Sequence, residues 1–157
     1  MAITTVSAVK VTSPVVFEFT EHNRSSLPIQ YEQIETTQRM ANGTMRKFVV
    51  AKKKTIQLAW SMLPSRTNLT VDGKYGAEGI KDLYDTYCFK PLTVELRYHQ
   101  STPTSFSSDN SAEVSSLTAE TLTMFISGFS YDVKKRLNDS GSTGFDYVDV
   151  SISFTEV

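Results

Sequence analysis

A single cysteine, Cys88, excludes an internal disulfide and leaves too few thiolates for a cysteine-based zinc centre. Histidine is nearly as scarce: His22 and His99 stand apart, outside any motif that assigns an imidazole a base or metal role. No apolar run approaches the roughly 20 residues that a bilayer-spanning helix requires. Met1 to Lys10 also lacks the basic-then-apolar order of a signal peptide, so a cytosolic product without export is expected. In such a product the Asn-x-Ser/Thr triplets at Asn23, Asn42, Asn68 and Asn138 carry no glycan. Excess charge is missing too: the formal net charge of -1 gives no overall field for concentrating nucleic acid or an anionic membrane, so any such partner must be recognised locally.

Catalytic signatures are equally thin. The Ser-rich segments contain no Gly-x-Ser-x-Gly elbow, and Gly73-Lys74-Tyr75-Gly76 lacks the spacing that aims several backbone amides at one phosphate. Asp82 and Asp85 lie opposite an apolar stripe and read as a solvated helix face, while Cys88 beside Phe89 reads as a buried small hydrophobe. The expectation is a protein that is not an enzyme and takes no cofactor and no metal.

What is present suits one globular domain of 157 residues, since two cores would each fall near the size where burial barely outweighs ordering entropy. Pro14 to Phe19 is Val- and Phe-rich and reads as a strand. Ile29 to Met40 is polar and extended, reaching Ala41-Asn42-Gly43-Thr44, where Asn-Gly can take the positive φ angles of a tight hairpin. A returning strand starts at Met45, and within it Lys53 to Met62 alternates, with Ile56, Leu58, Trp60 and Met62 on one face. Ile80, Leu83, Tyr84 and Tyr87 then recur at helical spacing before Pro91, after which Leu92, Val94, Leu96 and Tyr98 restore the period of two. Gln100 to Glu120, crowded with Ser and Thr, reads as a long mobile loop. Thr121 to Val133, with Phe125, Phe129 and Tyr131 on one parity, and Tyr147 to Phe154 supply two closing strands around turn residues Asn138 to Gly144. The fold expected is mostly β, an antiparallel β-sandwich or barrel with one flanking α-helix and a long projecting hairpin.

One cluster is out of proportion to the neutral whole. Arg39, Arg46, Lys47, Lys52, Lys53 and Lys54 surround Asn42-Gly43 with no acid among them. Such an arm can grip phosphates, pair with an acidic patch on a neighbouring subunit, or protect an edge from stray sheet pairing. The subunit contact is the leading reading, with Arg39, Asn42, Gly43, Arg46, Lys47, Lys52, Lys53 and Lys54 as its residues.

The segments Ile34-Glu35 with Gln38-Arg39-Met40-Ala41-Asn42-Gly43-Thr44-Met45-Arg46-Lys47-Phe48, and Lys54-Thr55 through Trp60-Ser61-Met62-Leu63-Pro64-Ser65, carry a resemblance. The chain resembles tail tube and minor tail proteins of long-tailed bacteriophages of actinobacteria, from about Val16 to Leu96. That resemblance implies a virion subunit made in the host cytoplasm and assembled as hexameric rings stacked around a channel. Its implied partners are copies of itself, other tail proteins and DNA in transient passage, with no membrane. Because the hairpin is basic, the resemblance places it at a ring-to-ring contact and not in the lumen. Two rivals stand beside it: a small nucleic-acid-binding module using the basic hairpin 39–54, and an enzyme or carbohydrate-binding sandwich without a known motif.

Overall fold

The computed structural model describes the backbone of residues 7–102, 114–137 and 144–157 and, within these, the side chains of all but 99–102 and 114–118. Seven strands form one antiparallel sheet: β1 (Val9–Ser13), β2 (Phe17–Glu18), β3 (Ile29–Arg39), β4 (Met45–Pro64), β5 (Leu92–Thr102), β6 (Val114–Leu137) and β7 (Phe145–Glu156). Their order across the sheet is β2-β1-β5-β6-β7-β4-β3, and α1 (Ala77–Tyr87) is the one α-helix among the described residues. The mostly-β antiparallel class expected from the sequence is observed, as one continuous hydrogen-bonded sheet.

Alternation explains the core. Val9 and Val11, Ile56, Leu58 and Trp60, Leu92, Val94 and Leu96, and Val148, Val150, Ile152 and Phe154 are all buried on one face, as period-two strands with a single apolar side demand. The sheet curls until its two ends share this core. Just past β2, Phe19 lies 5.8 Å from the Trp60 ring on β4 and 5.9 Å from Phe154 on β7, and Arg24 bridges to Trp60. Trp60 is 2% exposed, and its indole N–H donates to the Thr20 carbonyl at 2.9 Å. Helix α1 contributes Ala77, Ile80 and Leu83, and stacks Tyr84 on Phe129 of β6 at 4.5 Å.

Four expectations need correction. Strand pairing near the start belongs to Val9–Ser13, and in the stretch read as a strand from Pro14 it covers Phe17–Glu18 with a single bridge at Phe19; proline lacks the N–H that a ladder uses. Met62 does not continue the buried face. The register shifts between Trp60 and Leu63, Met62 takes φ 52, and Leu63 goes inward in its place, because a bulge inserts one residue and reverses the parity beyond it. In β6 a shift between Ile126 and Gly128 does the same: Leu122, Met124 and Ile126 are buried before it and Phe125 is exposed, while Phe129 and Tyr131 pack on the core after it. Finally, the segment read as a loop from Gln100 to Glu120 is paired strand at both ends, since β5 and β6 run as a ladder out to Thr102 and Val114. A ladder is held by backbone bonds, which Ser- and Thr-rich sequence makes as readily as apolar sequence. Residues 103–113 of that segment, and 138–143 of the turn that begins at Asn138, lie outside the described residues. Cys88 sits at the C-cap of α1, half-buried and with a free thiol.

Candidate functional site

The β3–β4 hairpin leaves the body of the protein. β4 pairs with β7 only from Thr55 onward, so Met45 to Lys54 has β3 as its single partner among the described residues. At about 3.3 Å per residue this is an arm of roughly 33 Å. Its turn is built by Met40 and Thr44, whose backbones bond at 2.7 Å, by Gly43 at φ 88, and by the Asn42 side chain accepting the Thr44 N–H at 3.0 Å. A left-handed glycine at the end of a two-stranded ribbon is what the Asn-Gly pair anticipates.

Register divides the arm into two faces. On one, Ile34, Thr36 and Gln38 lie with Ala51, Phe48 and Arg46; on the other, Tyr31, Gln33, Glu35, Thr37 and Arg39 lie with Lys54, Lys52, Val49, Lys47 and Met45, the two sets meeting at a bulge between Ile34 and Glu35. Neither face is buried. Phe48 is 55% exposed, Val50 78%, and Ile34, Val49 and Met45 are also open to solvent. A two-stranded ribbon is marginal in water by itself, and this one shows apolar side chains on both sides.

The structure separates the six cations that the sequence groups together. Lys54 is anchored to the body: its ammonium binds Glu120 on β6 and lies 5.1 Å from the Tyr31 ring centre. Burial alone depresses the Lys54 ammonium, but the Glu120 carboxylate outweighs that and holds it above its ordinary range. Tyr98 joins this knot through Glu120 at 3.4 Å, and desolvation with the nearby carboxylate pushes its hydroxyl up. Lys53 donates to the Val157 carbonyl at 2.5 Å. Lys47 pairs across the ribbon with Glu35 at 2.8 Å, and Arg39 donates to the Gly43 carbonyl at 2.9 Å. Arg46 and Lys52 are exposed and have no ion pair or side-chain hydrogen bond among the described residues.

Thus Lys53 and Lys54 act at the root of the arm, Arg39, Asn42 and Gly43 shape its tip, and Arg46 and Lys52 are the arm's cations left without a partner among the described residues. The sequence reading missed the apolar component. Ile34, Phe48 and Val49 carried a signal, since they sit in a stretch whose charges already marked it as solvent-facing. Among the described residues no cluster of three or more His, Cys, Asp or Glu is placed to hold a metal, and no helix is long and apolar enough to cross a membrane. A shallow basin of about 630 Å³ lies between Lys10, Glu18, Asp72, Lys74 and Tyr75, but its charges are satisfied internally: Glu18 is held by Lys74, with Lys10 at 3.9 Å and Arg97 at 4.0 Å.

No family model and no curated protein matches the chain. Its fold is similar to that of a chain in a solved structure of the tail of an empty GTA (gene transfer agent) particle, obtained by helical refinement with C6 symmetry. The TM-score is 0.50 at 8% identity, over 96% of this chain and 90% of that one. At that identity the likeness shows a shared fold along nearly the whole of both chains.

Proposed function

We propose that this protein is a structural subunit of a phage-like tail, whose work is to bind copies of itself and neighbouring tail components, with no substrate and no cofactor. The observation that carries the reading is the arm: a ribbon of roughly 33 Å, extended beyond the core, with Phe48, Val49 and Val50 exposed and two cations without a partner among the described residues. A monomer gains nothing from such an arm, whereas a neighbour that covers it gains apolar burial of about 25 cal/mol per Å². The fold shared with a chain from a C6-symmetric tail supports a tail subunit; hexameric rings stacked as a tube around a path for DNA, within the virion, are our own extension of that reading.

The arm engages its neighbour by a heterologous contact, which closes into rings when the rotation between copies is right. Replacing Arg39 through Arg46 by a short Gly-containing turn is expected to leave a soluble, cooperatively melting monomer. That variant forms no rings or tubes in negatively stained micrographs at concentrations where the unaltered chain does. If it polymerises normally and instead loses affinity for short DNA duplexes, the arm is a nucleic-acid grip and the subunit reading is wrong.

A further inference from the structure

The arm's charge has a counterpart on the body. Within residues 29–54 there are six basic and two acidic residues, which leaves ten basic and fifteen acidic elsewhere in a chain of net charge -1. The molecule is therefore polarised, a basic arm on an acidic body, and a second copy is the nearest partner of matching sign.

Most of the body's acidity is already used. Outside the arm, each carboxylate among the described side chains accepts an ion pair or hydrogen bond, with Glu78 and Asp82 as the two exceptions. Both are exposed, one turn apart on the outer side of α1. Such i,i+4 neighbours stand about 5 to 6 Å apart, so their negative charges reinforce one another, while the nearby Lys81 ammonium is engaged by Asp85 at 2.9 Å. A row of half-buried rings, Tyr84 on Phe129 at 4.5 Å and Phe129 near Tyr131 at 6.3 Å, flanks α1 where it meets β6, and Asp82 also borders the groove of Phe17, Tyr75 and Tyr87 on the other flank. Glu78 and Asp82 lie close enough to Tyr131 to help raise its hydroxyl, behind the larger effects of burial and Asp146.

On the arm, the ladder sets Arg46 and Phe48 on one face, two residues apart, with Ile34 beside them. A cation and an aromatic ring at about 6.6 Å spacing thus face outward together. Resting on the subunit reading above, we propose that the acceptor for the arm is the α1–β6 face of a second copy, with Arg46 at Glu78 and Asp82 and Phe48 against the Tyr84–Phe129–Tyr131 row. Arginine suits this place, since its planar fork can serve two carboxylates and lie flat on a ring. The contact is heterologous, arm to helix, and each copy offers both halves.

A charge exchange tests it by sedimentation velocity of the full chain. Arg46→Glu is expected to weaken association at least tenfold, and Asp82→Lys, which avoids the first turn of the helix, to weaken it similarly. Combined in one chain, the two reversals are expected to bring association back to within about threefold of the unaltered protein, as a direct pair demands. Circular dichroism and melting confirm that each variant is folded. If Asp82→Lys and Glu78→Lys leave association unchanged while shortening the arm abolishes it, the arm docks elsewhere and this acceptor is wrong, though the subunit reading survives. Loss in both single variants without recovery in the double also overturns the direct pairing. If shortening the arm leaves association intact, the arm is not the contact, and both readings fall together.

Discussion

Removing one ring from the arm tests whether it packs between chains, as the proposed subunit role requires, or only within the chain. Phe48 is 55% exposed and lies on a part of β4 whose one strand partner among the described residues is β3. Full burial of such a ring is worth about 1.5 to 3 kcal/mol, and roughly half of its surface is already covered, so a neighbour that buries the rest gains about 1 to 1.5 kcal/mol per contact. Phe48→Ala is therefore expected to weaken association roughly five- to twelve-fold, at about 1.4 kcal/mol per tenfold. Because no core residue touches the site, the monomer's unfolding free energy should move by about 0.5 kcal/mol or less, as surface changes do. Sedimentation velocity across a concentration series reads the first quantity, and calorimetry of dilute protein reads the second. The reasoning fails if the variant assembles as tightly as the unaltered chain, or if its melting temperature drops by more than about 3 °C, equivalent to roughly 1 kcal/mol or more at this size.

Trp60→Ala is the opposite case. The ring is 2% exposed and hydrogen-bonded to Thr20, so the change is expected to cost about 3 to 5 kcal/mol, read by urea unfolding of monomeric protein. Gly76→Ala should destabilise by about 1 to 3 kcal/mol, because the added carbon meets the Pro64 and Ser65 carbonyl oxygens at 2.6 and 2.8 Å, backbone that cannot step aside; a melt within 1 °C of the parent shows that the approach is looser. Acid should loosen the fold through Glu18 and Asp72. The Lys74 hydrogen bond draws Glu18 below its usual value of 4.5. Burial pushes Asp72 up, but the Glu21 amide, the Thr20 hydroxyl and the Lys74 amide together bring it below 3.8. Both groups contribute stability that is complete above their unfolded values and is lost as pH falls through the lower folded ones. Melting temperature followed from pH 6 to about pH 3 should fall less steeply in Glu18→Gln than in the unaltered chain, and parallel curves exclude Glu18 as a contributor.

Several elements were legible in the residues alone, because each depends on chemistry confined to a few neighbours. Asn42-Gly43 announced its hairpin, and Gly43 has the positive φ that this turn requires. The apolar spacing of Ile80 and Leu83 marked α1, and the alternation of Ile56, Leu58 and Trp60 marked the inner face of β4. What failed were inferences that carried a period too far. At Met62 and again after Ile126 a single inserted residue reversed which side faces the core, so Leu63 replaced Met62 and Phe125 turned outward. A bulge is placed by the partner strand's register, which no local pattern encodes. The same limit applies to Ser101 and Ser115, whose pairing depends on a ladder continued from the buried part of β5 and β6.

The arm shows the division most fully. Its basic charge was determined by the sequence, as an unbroken fact of composition along Arg39 to Lys54. Which of those charges remain open was decided only by tertiary structure. Glu120 lies 66 positions from Lys54 in the chain, and folding of β6 beside β4's root brings the two together, while Glu35 reaches Lys47 only because the hairpin register aligns them. That Arg46, and Glu78 and Asp82 on α1, have no ion pair among the described residues is likewise a property of where the other described charges came to rest. Attraction between charges falls with distance through space and takes no account of separation along the chain, so a list of residues names the charges and the fold alone pairs them.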